Sequence, residues 1–514
     1  MSTDVARSPI EPPSIPAGAP GGARELGMLE LLLVAVGLAA LMAGELAVCK
    51  PRLVMDGPFW LDECLTAQIV LDPSIGHSIA AIRHGVDTNP PVYHLIARGY
   101  WKVFGRLFRD SPRITLRSLS LLCTWLALVG VYALLRGGFS IWPAIIGTLA
   151  VSAHPDVVEQ AVNARFYAPL LAATVATCLA MRRRGTGIGR GILVAICAAL
   201  LCTLHYFGIL ILGCICLAML LVDEGSVVRR LIRLLPAAAG PVALAPFLFF
   251  IRTQSAGLTV KTWLDPFSAF LAGQFLVDVL CTLPLLVAVA AWVIGQLIRS
   301  TGNDRRIEDR PALLAATVPM LAMALVPVTI VIFSAMVQSA LRPRYAIAAA
   351  LVLGPVAAML GARLGRYVLV GLAVALSGLA VMKLHGVESL RQTQLDTLTY
   401  RRDAVENQDP ALPIYLTDRG QATELLTFAP ELFPRMHLLD MREPGIALDN
   451  YRLFETETIG KVSPYYPLPP LVPAAHLQEI GKFDLIAPED DLPALLLEVP
   501  MVHREGLVYE AVKP

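Results

Sequence analysis

The chain has 514 residues, of which 56% are hydrophobic and only 16% are charged, and its mean hydropathy is +0.62. A soluble globular chain carries about 45–50% apolar and about 25% charged residues, so the composition excludes a water-soluble protein. The 42 basic and 41 acidic residues nearly cancel, which leaves no basic field for binding nucleic-acid phosphates. The nine cysteines show no CxxC motif and no paired spacing. They predict small core residues and neither disulfides nor a zinc site.

The apolar runs predict a mainly α, polytopic membrane protein. Residues 1–25 are rich in Pro, Gly, Ala and Ser, which predicts a disordered cytoplasmic tail. The run 26–48 is too long for a signal-peptide core and has no cleavage site, so we expect a signal anchor. Further predicted spans lie at 116–135, 141–154, 166–181, 191–206, 207–222, 235–251, 278–298, 312–334, 345–361 and 367–383, which makes about eleven transmembrane helices.

The distribution of basic residues predicts the orientation of the spans. Five basic residues lie in the short loops on one side of the membrane, the first loop excepted: Arg165, Arg252, Lys261, Arg342 and Arg344. Fourteen arginines lie in the loops on the other side, which the N-terminal tail shares: 136, 182–184, 190, 229, 230, 233, 299, 305, 306, 310, 363 and 366. The positive-inside rule therefore predicts a cytoplasmic N-terminus and a C-terminus outside. We expect a multi-pass protein of the bacterial inner membrane.

Two long segments are predicted on the outer side. Residues 50–115 form the first outer loop, and residues 384–514 become polar and rich in proline beyond the membrane module 26–383. The second segment has short β-like runs separated by helix-compatible stretches, which predicts a small soluble α/β domain. These runs are Ile414–Thr417, His437–Asp440, Phe483–Ala487 and Leu507–Val512.

The first outer loop holds an acidic pair, Asp62 and Glu63, beside Phe59 and Trp60. A carboxylate that is partly desolvated against aromatic surface is suited to act as a general base. The alternative is that the pair only begins a helix, where the macrodipole favours acidic residues.

Further along this loop, Asp87, Asn89 and Tyr93 surround the start of a second predicted helix, with Pro90 and Pro91 in its first turn and Asn89 as its cap. Aromatic and basic residues alternate beyond Tyr93, which is typical of a helix lying in the membrane interface. We therefore expect the loop to lie on the outer membrane surface.

Polar residues recur at the outer ends of the other spans. Each alone is a common interfacial anchor, but together they predict an outward-facing polar cavity in which arginines hold a phosphate near a carboxylate base. The residues are Arg117, His154, Asp156, Glu159, Arg165, Tyr167, His205, Tyr206, Arg342, Arg344 and Tyr345.

The order of several short motifs resembles the GT-C superfamily of membrane glycosyltransferases, in particular the bacterial branch related to protein O-mannosyltransferases and the lipid A aminoarabinose transferase. The resemblance covers about residues 26–383. It is carried by Asp62-Glu63, Asn89-Pro90-Pro91-Val92-Tyr93, Leu116-Arg117, Ala164-Arg165-Phe166-Tyr167, His205-Tyr206 and Pro343-Arg344-Tyr345.

The resemblance implies an inverting glycosyltransferase that moves a sugar from a polyprenyl-phosphate donor to a hydroxyl of a lipid, polysaccharide or protein. Asp62 would be the general base, and Glu63 would position the acceptor or assist. Arg117 is the arginine carried over most directly for the donor phosphate, followed by Arg165, Arg342 and Arg344. The sugar site would be lined by Tyr167, His205, Tyr206 and Tyr345, and the acceptor or the loop would be positioned by Asp87, Asn89 and Tyr93.

Metal dependence and a second function class stay open at this point. Some GT-C enzymes hold a divalent ion with acidic residues of two loops, for which Asp156, Glu159 and His154 are the candidates here, while the mannosyltransferase-like branch needs none. The alternative function is a transporter or flippase of lipid-linked sugars. Transporters place ionisable groups near the middle of the bilayer, whereas Glu45 and Asp278 fall close to the outer ends of apolar runs.

Overall fold

The computed structural model describes residues 27–183, 187–223, 225–256, 264, 266–298, 310–407, 409–440, 457–487, 495, 499 and 501–511. The predicted tail 1–25 lies outside the described residues. The helices of the membrane module are α1 Met28–Val48, α2 Pro51–Asp56, α3 Leu61–Leu71, α4 Ile75–His84, α5 Val92–Phe104, α6 Pro112–Arg136, α7 Ile141–Ser152, α8 Pro155–Ala161, α9 Tyr167–Arg182, α10 Ile188–Leu204, α11 Gly208–Val222, α12 Val227–Leu234, α13 Ala239–Leu244, α14 Leu248–Ser255, α15 Ala269–Leu280, α16 Leu283–Ile298, α17 Arg310–Leu321, α18 Leu325–Met336, α19 Leu353–Gly361 and α20 Arg366–Glu406. Short 3₁₀ segments join several of them, the longest being Pro343–Val352.

Many of these helices are suited to a membrane. Among the described residues, six helical segments are long and apolar enough to cross a bilayer, with mean hydropathies between 1.6 and 2.3: Met28–Val48, Pro112–Arg136, Val227–Gln254, Leu313–Met336, Pro343–Gly361 and Arg366–Glu406. Two further pairs, α7 with α8 and α15 with α16, are bent by 71° and 58°, and α9, α10 and α11 are shorter apolar helices. The side chains of α1 are mostly exposed, which suits contact with lipid. The chain is a multi-pass membrane protein, and the number of eleven spans stays a prediction.

The first outer loop folds into α2 to α5 against the end of the membrane module. Helix α5 is amphipathic, with Tyr93, His94 and Arg98 buried. Val103, near its C-terminal end, is 71% exposed, and Leu107, just beyond the helix, is 72% exposed. The predicted cap is wrong, because α5 begins at Val92 with Pro91 at the N-cap, two residues after Asn89, and the side-chain nitrogen of Asn89 donates instead to Asp87. Pro91 takes the N-cap position, and the side chain of Asn89 forms its hydrogen bond within the turn that precedes the helix.

Helix α20 joins the membrane module to the C-terminal segment without a break. The change of composition at Lys383 falls in its interior, and the helix continues for 23 more residues to Glu406. No proline interrupts this stretch, so helical hydrogen bonding persists where the side chains become polar.

The C-terminal segment forms a mixed sheet with helices around it. Its described elements are β1 Ile414–Leu416, α21 Arg419–Phe428, β2 Met436–Asp440, α22 457–462, β3 Leu471–Pro473, α23 Leu477–Ile480, β4 Lys482–Ile486, β5 Met501–Glu505 and β6 Val508–Ala511. The strand order is β3-β2-β1-β4-β6-β5, with β3, β2, β1 and β4 parallel and β6 and β5 antiparallel. Strands β1, β2, β4 and β6 fall on the four β-like runs, whereas β3 and β5 carry no such pattern.

The sheet packs against the first outer loop through a shared apolar cluster. Leu65 and Ile69 of α3 lie in it with Leu425 of α21 and Leu398 of α20. The N-terminus of α3 is held directly, because the backbone N–H of Leu61 donates to Glu424 Oε1 at 2.9 Å. The C-terminal segment therefore fixes the helix that carries the acidic pair.

The contact of Glu424 with α3 predicts a pH dependence of stability. Burial raises the pKa of Glu424 to about 6, so the folded protein keeps this proton better than the unfolded chain, whose carboxyl has a pKa near its ordinary value. The free energy of unfolding should therefore fall as pH rises from about 4.5 to about 6.5, by up to about 2 kcal/mol from this group. In Glu424→Gln this part of the slope should vanish in thermal unfolding measured across that range. The exposed Glu431→Gln is the matched control, and an unchanged slope in Glu424→Gln would contradict the assignment.

Candidate functional site

Helix α3 sends its two acidic side chains in different directions, since consecutive residues of a helix are about 100° apart. The side chain of Asp62 is 27% exposed, whereas that of Glu63 is fully buried. Both lie in the first helical turn, so they also fit the helix-start interpretation. Only Asp62 has the access that a group reacting with a substrate needs.

Two arginines from distant parts of the chain face Asp62. The Nη2 atoms of Arg344 and Arg165 lie 3.5 Å and 3.8 Å from its Oδ2 atom. Arg165 comes from the turn between α8 and α9, and Arg344 from the 3₁₀ segment before α19. Both distances exceed those of a good hydrogen bond, so the two guanidiniums hold the carboxylate electrostatically.

A network of hydrogen bonds orients Arg165. Its Nη1 donates to the backbone oxygen of Asp62 at 2.9 Å, to Thr66 Oγ1 at 2.9 Å and to Asp87 Oδ2 at 3.1 Å. Asp87 also accepts a hydrogen bond from the side chain of Asn89 at 2.6 Å and lies 3.3 Å from His94 Nε2. Burial opposes ionisation, but Arg165 and His94 hold the pKa of Asp87 below its usual value. Asp87 is therefore an anion that positions Arg165.

Arg117 and Glu63 form a closed pair in the interior. Both side chains are fully buried, and Arg117 donates from Nε and Nη2 to the two carboxylate oxygens at 3.0 Å and 2.6 Å. Its other N–H groups donate to the backbone oxygens of Met55, Gly57 and Pro58. The backbone N–H of Ala164 also donates to Glu63 at 2.6 Å.

This pairing changes the roles predicted for both residues. All five N–H groups of a guanidinium are satisfied, so Arg117 has no donor left for a phosphate, and Glu63 cannot reach an acceptor. The geometry supports a structural role for the pair, while the phosphate and acceptor roles that the resemblance implied stay predictions, which this closed arrangement does not favour. Burial disfavours the charged form, but Arg117 holds the pKa of Glu63 below its ordinary value.

Aromatic rings surround the exposed edge of the site. The rings of Tyr167, His205 and Tyr345 lie with centroids 5.7–6.2 Å apart. The guanidinium of Arg344 lies 5.1 Å from the ring of Trp60. The sequence places Trp60 next to the acidic pair, but no spacing rule assigns it this cation–π contact.

The remaining predicted residues lie at varying distances from Asp62. Tyr93 is fully buried against Phe166, with centroids 6.0 Å apart, so it supports the turn that carries Arg165. Tyr206 donates its hydroxyl to the backbone oxygen of Phe247 at 3.3 Å. Arg342 lies in extended backbone at the start of the 3₁₀ segment that holds Arg344.

The candidate metal ligands His154, Asp156 and Glu159 have other partners. His154 Nδ1 accepts a hydrogen bond from the backbone of Asp156 and so caps α8. Glu159 forms an ion pair with Lys383 at 3.1 Å. Within the described part of the chain, these three residues do not gather ligand atoms within 4.8 Å of one another. They do not fit a metal site in this arrangement.

A large groove lies on the other face of α3. It has a volume of about 840 Å³ and is lined by residues of α3, such as Cys64 and Gln68, and by Asp72, His77 and Tyr466. Asp62 is not among its lining residues. Despite its size, the groove is therefore separate from the carboxylate of Asp62.

The structural role of Arg117 predicts a loss of stability in Arg117→Met. Removing one partner of a buried ion pair costs about 3–5 kcal/mol, because the remaining charge is left unpaired. We expect a much lower thermal unfolding temperature and a low yield of folded protein, as measured by scanning fluorimetry in detergent. Arg113→Met, on the same helix and nearer the surface, is the matched control. A variant at Arg117 that melts like the wild type but no longer binds a polyprenyl phosphate would restore the phosphate role.

No family model and no curated protein matches this sequence. Solved structures do match the fold. ArnT from Cupriavidus metallidurans bound to undecaprenyl phosphate is similar with a TM-score of 0.51 and 13% identity, over 94% of this chain and 98% of that chain. The apo form of ArnT matches with a TM-score of 0.50 and 13% identity, over 94% and 97% of the two chains. The archaeal oligosaccharyltransferase AglB from Archaeoglobus fulgidus has 12% identity and a TM-score of 0.43, over 94% of this chain and 74% of that one.

The match to ArnT, a membrane glycosyltransferase of the GT-C superfamily, runs through the membrane module and into the C-terminal segment. At 13% identity, it concerns the fold alone. The resemblance predicted from the short motifs is confirmed at this level: the chain has the GT-C fold.

Proposed function

We propose that the protein is an inverting glycosyltransferase that uses a polyprenyl-phosphate-linked sugar as its donor. The observation that carries this proposal is the partly exposed carboxylate of Asp62 between Arg165 and Arg344. A base and two cations at one site match the needs of a reaction in which a hydroxyl loses a proton and a phosphate leaves. The fold shared with ArnT, which was solved with undecaprenyl phosphate bound, supports the same donor class.

In this proposal Asp62 is the general base. Its carboxylate takes the proton of the acceptor hydroxyl, and the oxygen forms a new bond to the anomeric carbon of the sugar. The bond from that carbon to the phosphate oxygen breaks, and its electron pair leaves with the polyprenyl phosphate. Attack from the side opposite the leaving group inverts the anomeric configuration.

Arg344 and Arg165 would stabilise the phosphate as it gains charge. The Nη1 of Arg165 is fixed by Asp87 and Thr66, so its guanidinium would be in position before the reaction, which reduces the cost of reorganisation. Its Nη2 lies 3.8 Å from Asp62 Oδ2, beyond the length of a good hydrogen bond, so this end of the guanidinium would face the ligand oxygen. Tyr167, His205 and Tyr345 would form the wall against the sugar.

The supporting residues would act through Arg165 and α3. Asp87 and Asn89 would position Arg165, while Glu63 and Arg117 would hold the backbone on either side of Asp62.

The acceptor would be a hydroxyl of a lipid, polysaccharide or protein, and the site would open to the periplasmic face of a bacterial inner membrane. The basic loops on the opposite side support this orientation. No step of this mechanism passes through a metal ion.

Asp62→Asn tests the base. The amide keeps the shape of the side chain but cannot accept the proton, so the rate of sugar transfer should fall by about 10²–10⁴-fold. The assay would follow release of undecaprenyl phosphate from a panel of undecaprenyl-phosphate-linked sugars, with a glycolipid extract as acceptor. Thermal unfolding should be unchanged. The exposed Asp110→Asn is the matched control, and a fully active Asp62→Asn protein would refute the role of Asp62.

Arg344→Met tests the phosphate role. Loss of a charged hydrogen bond of about 1.5–3 kcal/mol corresponds to about a 10–100-fold weaker interaction. We expect the KM for the donor and the dissociation constant for undecaprenyl phosphate to rise by this factor, while the KM for the acceptor changes little. Arg366→Met, which removes an exposed arginine of α20, should leave both constants unchanged. Equal increases for donor and acceptor would contradict a specific contact with the phosphate.

A further inference from the structure

A second group of reactive side chains lies where α1 meets α20. Cys49 follows the last residue of α1 and is only 5% exposed, and His385 and Glu388 lie one turn apart on α20. A thiol sulfur, an imidazole nitrogen and a carboxylate oxygen from these residues all lie within 4.8 Å of one another. Within the described part of the chain, no other three Cys, His, Asp or Glu residues meet this condition.

The donor set fits a borderline-soft divalent cation. Thiolate, imidazole and carboxylate are the three protein ligands that Zn²⁺ uses, and residues three apart on a helix project from the same face. Around a tetrahedral zinc ion with bond lengths of about 2.0–2.3 Å, neighbouring donors lie about 3.3–3.7 Å apart. The donors lie within 4.8 Å of one another, so binding would draw them together by up to about 1.5 Å, and the side chain of His385, which is 50% exposed, has room to turn.

Part of the site is already ordered by hydrogen bonds. Glu388 Oε2 accepts from the backbone N–H of Lys50 at 3.3 Å and lies 2.9 Å from His385 Nδ1. The ammonium of Lys50 lies 3.6 Å from Glu388 Oε1 and is 66% exposed. A surface ion pair of this kind is worth little, so the lysine can move aside for a cation. The ion pair between Lys50 and Glu388 also does not account for the position of the Cys49 thiol next to Glu388.

We propose that Cys49, His385 and Glu388 form a binding site for a zinc-like divalent cation, with water as the fourth ligand. On binding, the thiol of Cys49 releases its proton to solvent, the sulfur and the imidazole nitrogen bond the metal, and the Lys50 side chain moves into solvent. Cys49 is more than 330 residues from His385 and Glu388 in the chain, so spacing rules could not find the site. This proposal revises the interpretation of Cys49 as a core residue only.

The consequence of binding would be structural. The metal would tie the end of α1 to α20, and one turn further along α20 the buried Arg391 donates to the backbone oxygen of Val162 at 2.7 Å and to Asn163 Oδ1 at 2.9 Å. These residues lie just before Arg165. A metal at Cys49 would therefore stabilise the helix that supports the turn carrying Arg165, without touching the reacting atoms. The site does not depend on the proposed glycosyltransferase activity.

The test is a titration of the full-length chain, stripped of metal with a chelator and free of any histidine tag, with Co²⁺ in nanodiscs. Binding to a thiolate gives a charge-transfer band in the near ultraviolet, and Zn²⁺ should bleach it at one equivalent. Cys49→Ser should lose the band, and His385→Ala should bind at least about tenfold more weakly. The exposed Cys281→Ser is the matched control and should keep the full signal.

A second measurement covers the event that Cys49→Ser does not fold. In the wild-type protein, one equivalent of Zn²⁺ should protect Cys49 from alkylation, as located by mass spectrometry, and should raise the unfolding temperature. Absence of both the band and the protection in the wild type would overturn the proposal. A band that persists undiminished in folded Cys49→Ser would also overturn it, since the metal would then be bound elsewhere.

Discussion

The buried ion pair of Glu63 and Arg117 is the interaction on which the Asp62 end of the membrane module depends. It joins α3 to α6, and through the backbone of Met55, Gly57 and Pro58 it also fixes the turn that leads into α3. The N–H of Ala164 adds a third segment to the same carboxylate. A charged pair without solvent contact is stable only when every donor and acceptor is used, and this pair meets that condition.

The pair explains how neighbouring acidic residues come to have different properties. Glu63 is buried in the interior, whereas the side chain of the preceding residue, Asp62, points another way and stays 27% exposed. Its backbone oxygen is held by Arg165 and Thr66, while its side-chain oxygens keep looser contacts. A fixed backbone with a partly exposed carboxylate suits the general-base role proposed for Asp62, because proton transfer would then need no rearrangement of the chain.

The C-terminal sheet contributes by packing and not by supplying groups to Asp62. Its apolar side chains cover the face of α3 that carries Leu65 and Ile69, and Glu424 caps the N-terminus of the same helix. The groove of about 840 Å³ between this segment and the outer loop lies on the far side of α3. Helix α3 thus separates two accessible regions, and a ligand in the groove would contact the helix without reaching the carboxylate.

Much of the architecture followed from the sequence because hydrophobic length and charge asymmetry act locally. The apolar runs correspond to helices of the structure, and four β-like runs correspond to strands. The departures have local causes as well: α20 passes through the predicted domain boundary because no proline stops it, and the N-cap of α5 falls on Pro91, because the helix begins only after the two prolines. The sequences of β3 and β5 do not alternate apolar and polar residues. Only their hydrogen-bonded pairing with β2 and β6 identifies them as strands.

The sequence by itself determined that this is a membrane protein with acidic, basic and aromatic residues at one end of its spans, because composition and order along the chain are enough for that. Only the tertiary structure decided which of these residues are available. Arg117 and Glu63 neutralise each other in the interior, Arg165 and Arg344 converge on Asp62 from segments about 180 residues apart, and Cys49 meets His385. Such pairings depend on how helices pack, and a linear pattern of residue types contains no information on which donors are already used.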